Sequence, residues 1–130
     1  MANPEDYLVR HKSDIENAQQ LVALGYPAVR SVLPQMMEWI QDMNWPVARV
    51  LQPFLVSIGE PILPEVRRVF ESDDLVWQYW CIVEILGHLP VENVSSFRPE
   101  LERLALRPTQ TERQEELDQV AGELLAQLDE

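Results

Sequence analysis

Apolar residues return every three or four positions along nearly the whole chain, and no stretch alternates as a strand does. The pattern predicts an all-α protein. Ile15, Ala18, Leu21 and Val22 form the first stripe. Ser13-Asp14-Ile15-Glu16 before it reads as a capping box, in which the Ser hydroxyl and the Glu carboxylate satisfy free N–H groups at the helix start. Gly25 is a left-handed stop, and Tyr26-Pro27 then breaks the chain. A second helix is predicted over about 31–42, with Val32, Leu33, Met36, Met37, Trp39, Ile40 and Met43 on one broad arc. Asn44 is the natural N-cap of a third helix, with Trp45 and Pro46 in its first turn. Its stripe is Val47, Val50, Leu51, Phe54, Leu55 and Ile58, and Pro53 within it predicts a kink or a break.

Gly59-Glu60-Pro61 marks the next boundary. A fourth helix over about 61–71 presents Ile62, Leu63, Val66, Val69 and Phe70. The fifth, over about 74–88, is apolar on nearly every side, which predicts burial all round. Gln78 and Glu84 are its only polar side chains between Leu75 and Leu86. Ser95 or Ser96 caps a sixth helix over about 97–107, with Phe97, Leu101, Leu104 and Ala105 inward. Thr109-Gln110-Thr111-Glu112 is a second capping box. It opens a last helix over about 110–128 with the stripe Leu117, Val120, Ala121, Leu124, Leu125 and Leu128.

Two segments match in outline. VLPQMMEWIQDMNW begins at Val32 and ILPEVRRVFESDDLVW at Ile62. Each opens on an apolar-Leu-Pro start, continues as an amphipathic helix, turns at an Asp, and places a Trp at the head of another apolar helix. The Leu-Pro pairs lie 30 residues apart, and a weaker third copy starts at Phe97-Arg98-Pro99. A helix-turn-helix unit at this period is the mark of a HEAT-like repeat. The expected fold is a short HEAT-like α-solenoid of about seven helices in antiparallel pairs, one domain over residues 1–130. On this reading "DMNWPVA" closes a helical pair. Asp42 and Asn44 cap the next helix while Trp45 packs across the pair, and Asp73 or Asp74 with Trp77 repeats the arrangement.

The stretch MMEWIQDMNWPVA at residues 36–48 resembles a family of short bacterial proteins catalogued as a domain of unknown function, whose members carry a D-x-N-W-P-V-A signature. The likeness extends to KSDIE at 12–16, SDDLVWQYW at 72–80 and the tail from Leu106 to Leu125. It implies an all-helical, HEAT-like protein of bacterial origin. It brings no activity and no active-site residues with it.

Charge narrows the partners. Twenty-two acidic residues against ten basic ones give a net charge of −12. That opposes nucleic acid, whose phosphates need Lys and Arg, and opposes anionic membrane. It suits a basic protein. Half of the net charge falls in residues 109–130, where seven acids face Arg113 alone. The single cysteine, Cys81, permits no internal disulfide and fits a reducing compartment. The first residues lack the apolar run of a signal peptide, and no run of eighteen apolar residues exists, so a cytoplasmic protein is expected.

Little of the sequence reads as a reaction centre. His11 and His88 are the only histidines, and neither C-x-x-C nor H-E-x-x-H occurs, so no metal and no cofactor is expected. Cys81 and His88 are two helical turns apart, about 10 Å along the axis, too far for a nucleophile and its base. There is no Gly-rich phosphate loop. Turn acids serve most often as caps, but Asp42, Asp74 and Glu84 converging in an apolar cleft could do acid-base work on a small molecule. Glu84, on so apolar a helix, must face water, pair with Arg or His, or hold its proton.

Tryptophans are concentrated at the centre of the chain, and they belong either to the core or to a binding surface. The main expectation is a protein-binding module without catalysis, a monomer or homodimer. Its candidate binding residues are Trp39, Asp42, Asn44, Trp45, Asp74, Trp77, Trp80 and Glu84. An immunity-type protein that neutralises a toxin is one version; an enzyme using Asp42, Asp74 and Glu84 is the alternative.

Overall fold

The computed structural model describes residues 3–130. Among the described residues there is no strand, and there are nine α-helices, several of them preceded or followed by short 3-10 turns. The chain divides into two compact units, one reaching to Glu65 and the other spanning Val66–Glu130.

The first unit contains α1 (Ile15–Leu24), α2 (Leu33–Glu38), α3 (Pro46–Ile58) and the start of α4 (Leu63–Glu71). α1 packs on α3. Their buried residues are Ala18 and Leu21 on one and Val47, Ala48, Leu51 and Leu55 on the other. The cap of α1 is Asp14, one residue later than the sequence pattern implies. Its carboxylate accepts the backbone N–H of Arg10 at 2.9 Å and of Asn17 at 3.4 Å. The Arg10 N–H is the main cause that lowers the Asp14 carboxyl below its usual range. Gly25 ends the helix at φ 74°, a backbone region open to glycine.

Pro53 sits inside α3, which runs on unbroken to Ile58. A proline there removes one helical hydrogen bond and costs about 3 kcal/mol. Four fully buried apolar side chains on the same helix outweigh it, at about 1.5–3 kcal/mol for each large one. The expected second helix, by contrast, is divided into a 3-10 turn at Arg30–Val32, α2, and another 3-10 turn at Trp39–Gln41.

The two Leu-Pro copies share a local build. The 3-10 turn Arg30–Val32 leads into α2, which opens Leu33-Pro34; the 3-10 turn Glu60–Ile62 leads into α4, which opens Leu63-Pro64. In each, the Leu N–H closes on the carbonyl three residues back. Proline at the second helical position has no hydrogen bond to lose.

The second unit holds the rest of α4, then α5 (Leu75–Glu84), α6 (Val91–Ser95), α7 (Arg98–Leu106), α8 (Gln110–Gln114) and α9 (Leu117–Leu128). α9 lies against α7 along its length and also touches α5, α6 and α8. Its stripe of Leu117, Ala121 and Leu124 is buried. The ring of Phe97 stands 5.6 Å from that of Phe70, and the Arg67 guanidinium lies 4.6 Å from the Phe97 centroid.

Three expectations change here. A short helix, α6, precedes the expected sixth helix, and Ser95 and Ser96 donate back to the Val91 and Asn93 carbonyls instead of capping α7. The fifth helix stops at Glu84 and tightens into a 3-10 turn at Leu86–His88. There a Cβ on Gly87 would sit 3.3 Å from the Ile82 carbonyl oxygen. The last helix is two helices, separated at Glu116, whose φ is 62°. In one unbroken helix, Glu112 and Leu117 would point about 140° apart. The break lets both be buried.

Candidate functional site

The "DMNWPVA" segment is a turn, held by its own backbone, by the Asp42 carboxylate and by a tie to Lys12. After the 3-10 turn Trp39–Gln41 the chain extends at Asp42. The Asp42 carboxylate accepts the Asn44 N–H at 2.8 Å, and the Asp42 carbonyl accepts the Trp45 N–H at 3.1 Å. The N-cap of α3 is Trp45, with no side-chain cap, so Asn44 does not cap as expected. Pro46 follows, and the Val47 N–H donates to the Lys12 carbonyl at 3.1 Å, tying the segment before α1 to the first turn of α3.

That turn sets two half-buried indoles edge to face. The rings of Trp39 and Trp45 have centroids 5.5 Å apart and planes at 69°. They line a half-open cleft of about 300 Å³ within the first unit. Leu8, Val9, Leu21 and Met36 complete its apolar lining, and Gln35, Glu38 and Gln41 its polar part. The sequence flags the two tryptophans. It gives no hint of Leu8 and Val9, which come from the segment before α1 and carry no helical period.

In the second unit Asp74 caps α5, its carboxylate accepting the Trp77 N–H at 3.0 Å. Trp77 is only 8% exposed and belongs to the core, so it offers no binding surface. Gln78, equally buried, is satisfied by the Ser72 carbonyl at 2.9 Å. α5 is not buried all round. Val76 is 43% exposed, and Tyr79, Trp80 and Val83 on the same side are half-buried. The Tyr79 and Trp80 rings stand 5.1 Å apart at 85°. With Val76, Gln114, Glu115 and Glu116 they line a shallow, open cleft of about 240 Å³.

Glu84 meets two of its sequence alternatives. Its side chain is partly exposed, and its carboxylate lies 3.9 Å from His88 Nε2, one turn on. Asp74 and Glu84 stand at opposite ends of α5, about 15 Å apart along its axis, so these two acids do not come together. Asp42 belongs to the first unit. Cys81 is fully buried, and burial pushes its thiol far up, away from the thiolate that a nucleophile needs. Among the described residues no group of three or more His, Cys, Asp and Glu is placed to hold a metal ion.

A third cleft, of about 340 Å³, contains a feature with no sequence signal. Arg103 on α7 grips Glu112 on α8 through two hydrogen bonds, at 3.2 and 2.7 Å. Glu112 also accepts the Thr109 N–H at 2.8 Å and completes the expected capping box. The Arg103 guanidinium is the main cause that lowers the Glu112 carboxyl. In the same cleft Glu100 binds Arg67 at 2.6 Å, while its other oxygen is buried without a hydrogen-bond partner.

No helix among the described residues is long and apolar enough to cross a membrane. The family model described as Domain of unknown function (DUF5071) matches residues 7–125, and the chain belongs to that family. No curated protein matches the chain.

Proposed function

We propose that this family member is a protein-binding module without catalysis, built on short helical repeats of the HEAT-like kind. The shared local build of the two Leu-Pro copies supports the repeat reading. The observation that carries the binding role is the Trp39–Trp45 cleft. Two indoles beside aliphatic walls, with amides and one carboxylate at hand, have the make-up of a pocket for an apolar anchor residue. Glu38 is the charged member of its lining, and the net charge of −12 favours encounter with a basic partner. Neutralising a toxin is one form this role could take, supported only by the small size and acidity of the chain.

The enzyme alternative is weaker on geometry. Asp42 and Asp74 are engaged with backbone N–H groups, and Asp74 and Glu84 are a helix length apart.

Selection of a displayed random-peptide library tests the binding role. Wild type is expected to enrich sequences with one large apolar residue flanked by Lys or Arg. Trp39→Ala should lose that enrichment while keeping its helical circular dichroism. Gln35→Arg with Glu38→Arg, both on exposed positions, should lose it too and guards against a folding artefact. Equal enrichment on wild type and both variants would sink the proposal.

A further inference from the structure

We infer that the corner formed by Tyr79 and Trp80, closed by Glu115 and Glu116, binds an arginine side chain of a protein partner. The inference takes from the proposed function only that the ligand is a protein. The pocket itself lies wholly in the second unit and shares no lining residue with the Trp39–Trp45 cleft.

Three observations meet at this place. Two aromatic rings stand at 85° with centroids 5.1 Å apart, giving a flat wall and a perpendicular one. Both rings are half-buried rather than covered, and Val76 beside them is 43% exposed. Adjoining Tyr and Trp rings that water can reach have the make-up of a protein docking patch. The cleft, at about 240 Å³, lies below the range of small-molecule pockets and suits a single side chain.

Charge decides which side chain. Glu115 and Glu116 are exposed and line the cleft from the junction of α8 and α9. Within the second unit, Arg67, Arg98 and Arg103 are each paired to other acids, Glu100, Asp129 and Glu112. The unit has fourteen acids against six basic residues, so its field draws cations. An aromatic face attracts a cation through its quadrupole. A guanidinium does this best here: it is planar, stacks on an indole, sheds water more readily than an ammonium, and presents a fork of donors to a carboxylate at its edge. The corner supplies both the stacking wall and the carboxylates. The backbone holds them in register, with the Glu116 N–H donating to the Arg113 carbonyl at 3.0 Å and α9 packed against α5.

The test titrates a tetra-arginine peptide into the full chain and follows the Trp80 indole N–H by NMR. Tetra-citrulline, the neutral isostere, serves as control. The Trp80 signal is expected to move with arginine and not with citrulline. Glu115→Gln with Glu116→Gln should weaken binding roughly five- to tenfold. Glu123→Gln with Glu130→Gln removes the same charge elsewhere on the unit and should change affinity by less than about twofold. All four substitutions lie on surface positions. Equal shifts with citrulline, equal losses in the two double variants, or arginine binding that leaves Trp80 unmoved would each overturn the corner. Trp39→Ala should leave arginine binding intact, and loss of binding in that variant would move the cation to the other cleft. No binding at all would end this inference, while the peptide selection on the Trp39–Trp45 cleft would stand or fall by itself.

Discussion

Arg103 reaches nine residues along the chain to hold Glu112 by both oxygens, Nη1 to Oε1 at 3.2 Å and Nη2 to Oε2 at 2.7 Å. The same carboxylate closes the capping box of α8 on the Thr109 N–H. One side chain therefore fixes the end of α7 to the start of α8.

Glu112→Gln should lower stability at neutral pH by about 1–2 kcal/mol, combining a weakened cap with loss of a partly exposed ion pair. The effect depends on pH in a defined sense. The folded carboxyl titrates below its usual 4.5, so its contribution is complete above that value. It is lost as pH falls through the folded value. Urea unfolding at pH 7 and near pH 3 checks this: the gap between wild type and variant should narrow in acid. A gap of equal size at both pH values would mean that the ion pair contributes nothing.

Asp74 and Asn44 make an informative pair, because the sequence offers both as caps and the structure grants the role to one. Asp74→Ala removes the acceptor of the Trp77 N–H and should cost about 1 kcal/mol. Asn44→Ala should cost under about 0.5 kcal/mol, since α3 begins without a side-chain cap. Asp42→Ala should fall between them through the lost bond to the Asn44 N–H. Thermal melts of the three variants give the order directly.

Trp77 and Trp80, three residues apart on α5, should behave as opposites. Trp77→Ala empties a core position and is expected to cost about 3–5 kcal/mol. Trp80→Ala, on the half-exposed side, should cost about 1 kcal/mol. Chemical denaturation separates the two, and a comparable loss for both would contradict the burial described.

These contrasts mark what the chain makes legible in advance. The helical class, the Gly25 stop, the Asp74 cap and the Thr109 capping box are local, and local pattern reveals them. The division of the second helix into α2 and its 3-10 flanks is decided by packing, as is the unbroken passage of α3 through Pro53. Neither follows from propensity. The break at Glu116 has no glycine or proline to announce it, and the Arg103–Glu112 pair joins two helices across a spacing with no periodic signature. Trp39 and Trp45 stand out in the sequence as binding candidates, but Leu8 and Val9 of their cleft do not. The sequence likewise offers Trp80 and Glu84 among its binding candidates, while the acids beside Trp80 in its cleft are Glu115 and Glu116, brought there by the second unit's helix packing.

Glu116 joins stability to function. Its φ of 62° lies in the left-handed region, which costs a non-glycine residue about 1–2 kcal/mol. Glycine adopts that conformation freely but loses more chain entropy on folding. Glu116→Gly should therefore raise stability by about 0.5–1 kcal/mol, and Glu116→Asn, which tolerates the same backbone, by less. Both remove a carboxylate from the Tyr79–Trp80 corner, and both should weaken binding of the arginine peptide by a similar factor of about two to three. Denaturant unfolding and peptide titration on the same two variants read the two effects apart. A strained residue kept for its side chain gains stability and loses affinity on replacement. If Glu116→Gly gained stability with binding unchanged, the carboxylate would have no part in the corner, and the strain at that position would serve the α8–α9 break alone.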